Sequence, residues 1–177
     1  MSAGPPGDTV CAGTEHPGTR VAAEIAAGGK GETNGPVQPM NQLEIHFDGG
    51  CRPTNPGNKY GSFEVQLDCK RVCLVSQQEL GWGTNNEAEF EILMAALDWT
   101  AANLFRGGFE LGSYRVCLFT DSTIVEGRLR QEKCGGKGEA ARRMGNLTAQ
   151  CLARLEPFKS WAVTWRRRDH NVARFGH

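Results

Sequence analysis

No stretch of the 177 residues approaches the roughly 18 consecutive apolar side chains that a membrane-spanning helix needs. The first thirty residues also lack the charged start and apolar centre of a secretory signal. No membrane association is expected, and the cytoplasm is the expected compartment. Seven cysteines are scattered without the tight spacing of a small secreted scaffold, so reduced thiols are expected rather than a disulfide framework. Cys69-x-x-x-Cys73 has no further cysteine or histidine at a spacing that completes a four-ligand zinc site. Aromatic residues are missing altogether from residues 1–40, which hold eight of the glycines and five of the prolines. Such a segment cannot bury enough apolar surface to offset the entropy of ordering, and it is expected to be a disordered leader. The folded domain then spans 41–177.

Net charge is also absent, with 20 basic against 20 acidic side chains, but the balance is local. Residues 41–127 carry 12 acidic and 6 basic groups, and residues 128–177 carry 4 acidic and 12 basic. One part of the domain can concentrate cations and the other can face a polyanion.

Leu43, Ile45 and Phe47 alternate with Glu44, His46 and Asp48, the period of a strand. Gly49-Gly50 is expected to end it, which leaves Asp48 at the strand's end. Ser62 to Leu67 and Val72 to Ser76 read as a hairpin around Asp68 to Arg71. Thr84-Asn85-Asn86-Glu87 forms a capping box, and apolar residues at 90, 93, 94, 97, 101 and 104 continue at helical spacing until Gly107-Gly108. Glu89 lies in that helix's first turn. Tyr114 to Thr120 reads as a strand delivering Asp121, and Ser122 to Arg130 as a short helix. Glu139 to Leu155 reads as a further helix, and Trp161 to Trp165 as a last strand before Arg166-Arg167-Arg168. The order βββαβααβ makes an α/β layered fold.

Asp48 and Asp121 at strand ends and Glu89 at a helix start can meet at one edge of a sheet. Three carboxylates packed that closely repel, and hard divalent cations relieve the repulsion. Mg²⁺ or Mn²⁺ suits such oxygen ligands, and two ions about 4 Å apart can promote in-line phosphodiester hydrolysis.

Phe47-Asp48-Gly49-Gly50-Cys51 with Asn55-Pro56-Gly57, then Thr84-Asn85-Asn86-Glu87-Ala88-Glu89, then Phe119-Thr120-Asp121-Ser122 resemble in order and spacing the type I ribonucleases H. The resemblance implies a five-stranded mixed sheet of order 3-2-1-4-5 flanked by helices, with strand 2 antiparallel to its neighbours. It also implies cleavage of the RNA strand of an RNA·DNA hybrid by a monomer holding two Mg²⁺ or Mn²⁺ ions. By that resemblance Asp48, Glu89 and Asp121 are catalytic metal ligands. Thr84-Asn85-Asn86 selects Glu89 over Glu87 and Glu91. The same resemblance makes Gly49, Cys51, Asn55, Thr84, Asn85, Asn86, Ser122 and Arg168 the expected substrate contacts. In the family this turn contacts the RNA strand near the ribose 2′-hydroxyls that separate RNA from DNA, so the resemblance implies that role for Asn85 and Asn86.

The chain departs from the family pattern at its end. The usual last acid falls on Phe175, and the long final helix and the basic protrusion are absent. His177 is the proposed fourth ligand, through its imidazole or its terminal carboxylate, with Asp169 and His170 as lesser candidates. Arg142, Arg143 and Arg166 to Arg168 are candidates for phosphate contacts, and Trp82 is a candidate for nucleotide contact. The alternative to a hydrolase is a weak or inactive module of the same fold that binds hybrids. A structure-specific nuclease or a retroelement module is a third reading.

Overall fold

The computed structural model describes residues 41–132 and 136–176. The leader, the middle of the Gly-rich connection and His177 lie outside the described residues. Five strands, β1 (Asn41–Arg52), β2 (Gly57–Leu67), β3 (Lys70–Gly83), β4 (Tyr114–Thr120) and β5 (Ser160–Trp165), form one sheet of order β3-β2-β1-β4-β5. β2 is antiparallel to β1 and β3, while β4 is parallel to β1 and β5. Four helices accompany it: α1 (Asn85–Arg106), α2 (Thr123–Leu129), α3 (Glu139–Leu155) and α4 (Arg168–Phe175).

Strand alternation decides which side chains meet the helices. Leu43, Ile45 and Phe47 of β1, Phe63 and Val65 of β2, and Val116 and Leu118 of β4 share the sheet face that α1 covers, with α3 packed against α1. Phe90, Leu93, Leu97 and Leu104 of α1 complete this core with Cys151 and Leu155 of α3. Phe47, Phe63 and Phe90 are fully buried, and each such side chain contributes about 1.5–3 kcal/mol. The capping box forms as the sequence predicts. Thr84 Oγ1 accepts from Glu87 N at 3.3 Å, and Glu87 Oε2 accepts from Thr84 N at 2.7 Å.

Three expectations change. Gly49-Gly50 does not end β1, which keeps its pairing with β2 as far as Arg52 against Asn58. The glycines serve a close contact instead. A Cβ on Gly49 would lie 2.5 Å from the Ala88 carbonyl carbon and 2.5 Å from Glu89 N, so α1 can cross the strand here only over a residue without a side chain. The hairpin turn is Asp68-Cys69, both at positive φ, with β2 and β3 running longer than the apolar pattern indicates because backbone pairing continues through polar residues. A short helix, α4, also follows β5, where the expected order βββαβααβ has none.

Gly49→Ala forces α1 away from β1. It should destabilise the protein by about 1–3 kcal/mol, read as a lower denaturant midpoint at unchanged slope.

Candidate active site

Asp48 reaches the site from β1, four residues before that strand ends. Asp121 follows the last residue of β4, and parallel pairing of β1 with β4 as far as His46 beside Phe119 sets the two aspartates next to one another. Glu89 arrives from the first turns of α1, whose backbone rests on Gly49. One carboxylate oxygen of each of Asp48, Glu89 and Asp121 lies within 4.8 Å of the others. Asp48 and Glu89 are buried.

Burial, and then the charge of Asp121, push the Asp48 carboxyl from 3.8 up to about 7, against weaker opposing pulls from Arg168 and the Gly49 N–H. Burial, then Asp48 and Asp121, raise Glu89 well above the usual carboxylate range. Glu89 Oε2 is buried with no hydrogen-bond partner among the described residues. A buried carboxylate oxygen left without a donor beside two further carboxylates is a poor arrangement for the protein alone. It fits a divalent cation as the missing partner.

Neighbouring residues hold this trio in place. The Trp165 indole N–H donates to the Asp121 carbonyl at 2.8 Å, and Glu126 Oε1 accepts from Trp165 N at 3.1 Å. Beneath Asp48, His46 stacks on Phe119 with centroids 4.6 Å apart. Its pKa is lowered to about 3, first by burial and then by Arg174, Arg166 and His170. It therefore stays neutral, and Glu44 at 3.5 Å is a polar neighbour rather than an ionic partner.

On the other side of Gly49, Asn85 Oδ1 accepts from Cys51 N at 2.7 Å and lies 2.9 Å from the Cys51 sulfur, while Asn55 Oδ1 accepts from Asn85 N at 3.3 Å. Cys51, Asn55 and Asn85 thus form one network beside the Thr84 cap. Asn86 lines a groove with Thr84, Glu139 and Arg143. Ser122 caps α2 by accepting from Val125 N at 3.3 Å. Arg168 is exposed at the start of α4, close enough for its charge to act on Asp48 and Glu89.

Other expected groups are engaged elsewhere. Arg143 donates to Glu87 at 2.9 Å and to Glu139 at 3.3 Å. Burial alone would raise the Glu87 carboxyl, but Arg143 and Thr84 hold it below its ordinary value. Arg166 lies 3.8 Å over the Phe119 ring. Trp82 is 67% exposed at the end of β3. Asp169 is exposed beside Arg167, 3.7 Å away, and His170 is exposed on the same helix. Phe175, where the resemblance places the last acid, is the final residue of α4 and is buried, 8% exposed. Among the described residues the trio is the one acidic, cysteine and histidine group close enough to share a cation, and Cys69 and Cys73 are free thiols. The roles of Trp165 and Glu126 leave no sequence signal beyond Trp165 following a β-branched run.

No family model matches the chain, and no curated protein matches it by sequence. Solved structures do. RNase H1 of the halophilic archaeon Halobacterium salinarum NRC-1 is 25% identical, with 73% of this chain and 89% of that one covered at a TM-score of 0.60. The fold is ribonuclease H-like. An N-terminal RNase H domain from Mycobacterium tuberculosis is 24% identical over 74% of this chain and 91% of its own, TM-score 0.59. LC11-RNase H1, isolated from compost, has been solved in complex with an RNA/DNA hybrid and is 20% identical, 74% of this chain and 89% of that one, TM-score 0.57. Sheet order and strand senses match the ribonuclease H-like arrangement implied by the sequence resemblance.

The raised carboxyls give a pH signature. Asp48 takes up a proton more readily folded than unfolded, so without divalent cation stability falls as pH rises from about 4 to about 7 and stays low above that. In EDTA at pH 8, Asp48→Asn and Glu89→Gln should each melt at least about 3 °C above the parent, and the gap should close below pH 4 in thermal scans.

Proposed function

We propose that this protein is a divalent-metal-dependent endoribonuclease that hydrolyses the RNA strand of RNA·DNA hybrids. The observation that carries this reading is the convergence of Asp48, Glu89 and Asp121, with an orphaned Glu89 oxygen, on a ribonuclease H-like fold. These three side chains would hold two Mg²⁺ or Mn²⁺ ions, which supply Lewis acidity for in-line displacement at phosphorus. Gly49 lets α1 bring Glu89 against β1, and Trp165 fixes the backbone from which Asp121 projects. Asn85, its carbonyl oxygen occupied by Cys51, offers its amide hydrogens to a ribose 2′-hydroxyl, the feature that separates the RNA strand from the DNA strand. Asn55, Thr84, Asn86 and Ser122 are the further substrate contacts proposed from the sequence resemblance. Arg168 contributes positive charge towards the phosphate backbone without reading sequence, so cleavage is nearly indifferent to base order. His177 remains the proposed fourth ligand.

A second reading draws on Phe175. An apolar buried side chain at the position of the last acid favours a module that grips hybrids and cuts slowly or not at all. A labelled hybrid incubated with Mg²⁺ or Mn²⁺, beside duplex RNA and duplex DNA, separates the two. Cleavage of the hybrid alone, leaving 3′-hydroxyl and 5′-phosphate ends, supports the nuclease. A gel shift without product supports the binder. Asp48→Asn and Asp121→Asn should each lower the cleavage rate at least about 100-fold while leaving the circular dichroism spectrum as in the parent.

A further inference from the structure

The most unusual buried charge lies outside the acidic trio. Glu64 sits in the middle of β2 between Phe63 and Val65, opposite His46 of β1, and is 0% exposed. Phe63 and Val65 point into the core, so Glu64 occupies the other sheet face, the one that α4 covers. Its carboxylate is gripped by the Arg174 guanidinium of α4 and the Gln66 amide, and Arg71 Nε of β3 approaches to 3.0 Å. A carboxylate this deep is tolerated only when paired, and removing a partner from such a pair is strongly destabilising.

The helix on the other end of that pair is anchored to the sheet at its two ends. α4 is 8 residues long and has no side-chain cap at its start, and a helix so short is not stable alone in water. Asn171 and Phe175 are its buried residues, and Asn171 Nδ2 finds no hydrogen-bond partner among the described residues. Its incoming end is fixed through Arg166, whose N–H donates to the Thr120 carbonyl at 2.7 Å and whose guanidinium covers Phe119. The outgoing end is fixed by Arg174 on Glu64. The helix is therefore suspended between the end of β4, beside Asp121, and the centre of β2, with Arg168 in its first turn.

We propose that Glu64 is a positioning residue, a buried latch that, through Arg174, holds α4 against the active-site face and keeps Arg168 beside the acidic trio. The proposal rests on the nuclease reading for its effect on cleavage but not for the latch itself. Glu64 touches neither substrate nor metal. It acts by denying α4 the freedom to lift from the sheet.

Arg174→Ala tests this in the full-length protein. Backbone hydrogen exchange in α4 should accelerate to that of an exposed loop, while β1 and α1 keep the parent's protection. Hybrid cleavage should fall about tenfold, the scale expected when a group near the chemistry is misplaced, and Arg174→Lys should recover most of it. Glu64→Gln gives the same reading if Arg174→Ala fails to fold, because it removes the charge and keeps the shape. Arg168→Ala should slow cleavage in the parent and add little in the Arg174→Ala background, since a lifted helix has already withdrawn that arginine. Unchanged exchange in α4, or losses from Arg168→Ala and Arg174→Ala that simply add, overturns the proposal. A parent protein that binds hybrid without cutting it overturns the nuclease reading alone. Exchange in α4 and hybrid affinity in the same variants then decide the latch.

Discussion

Mutual repulsion among three carboxylates is the constraint around which the domain is organised. Oxygens of Asp48, Glu89 and Asp121 within 4.8 Å of one another are unfavourable in a low-dielectric setting unless protons or cations intervene. The surrounding fold contains the means of keeping them together. Parallel pairing fixes the two aspartates, and contact between the α1 backbone and Gly49 fixes the glutamate. A packed aromatic and aliphatic core on one side of the sheet supplies the free energy that offsets the crowding. The same burial raises Asp48 and Glu89, a cost that a divalent cation would relieve under the proposed function.

Much of this was legible in the sequence because it obeys local rules. Alternation at Leu43 to Asp48 gave the first strand, the Thr84 to Glu87 capping box gave the start of α1, and a β-branched and aromatic run gave β4 with Asp121 just after it. Glu89 and Asp121 could be picked out because each follows such a boundary, and Asp48 because the Gly49-Gly50 pair after it reads as one although β1 runs on to Arg52. Other features are tertiary in origin. Gly49-Gly50 reads as a breaker from the local chain, yet its smallness answers to a helix forty residues away. Glu64 alternates with Phe63 and Val65 in its strand, and its burial depends on Arg174 of the helix that covers its face. α4 itself is too short and polar to announce its own helix; its anchors at Thr120 and Glu64 come from other strands.

The two sheet faces therefore do different work. The face under α1 is apolar and gives stability. The other carries His46, Glu64 and Asp48 in one stripe with Phe119 beside it, and arginines from the chain's basic end close over it. The charge segregation seen along the sequence thus becomes a spatial juxtaposition of an acidic strand cluster and a basic terminal segment. That juxtaposition suits a site that must hold cations and meet a polyanion together.

Calorimetric titration of the protein with Mn²⁺ near pH 7, repeated in buffers of differing ionisation enthalpy, probes the acidic trio directly. If the trio is a cation site held partly protonated by crowding, binding releases about one proton or more, and the number falls as pH is raised. Asp48→Asn should abolish most of the heat. Saturable binding with no proton release, or binding unchanged in the Asp48→Asn protein, would contradict the account.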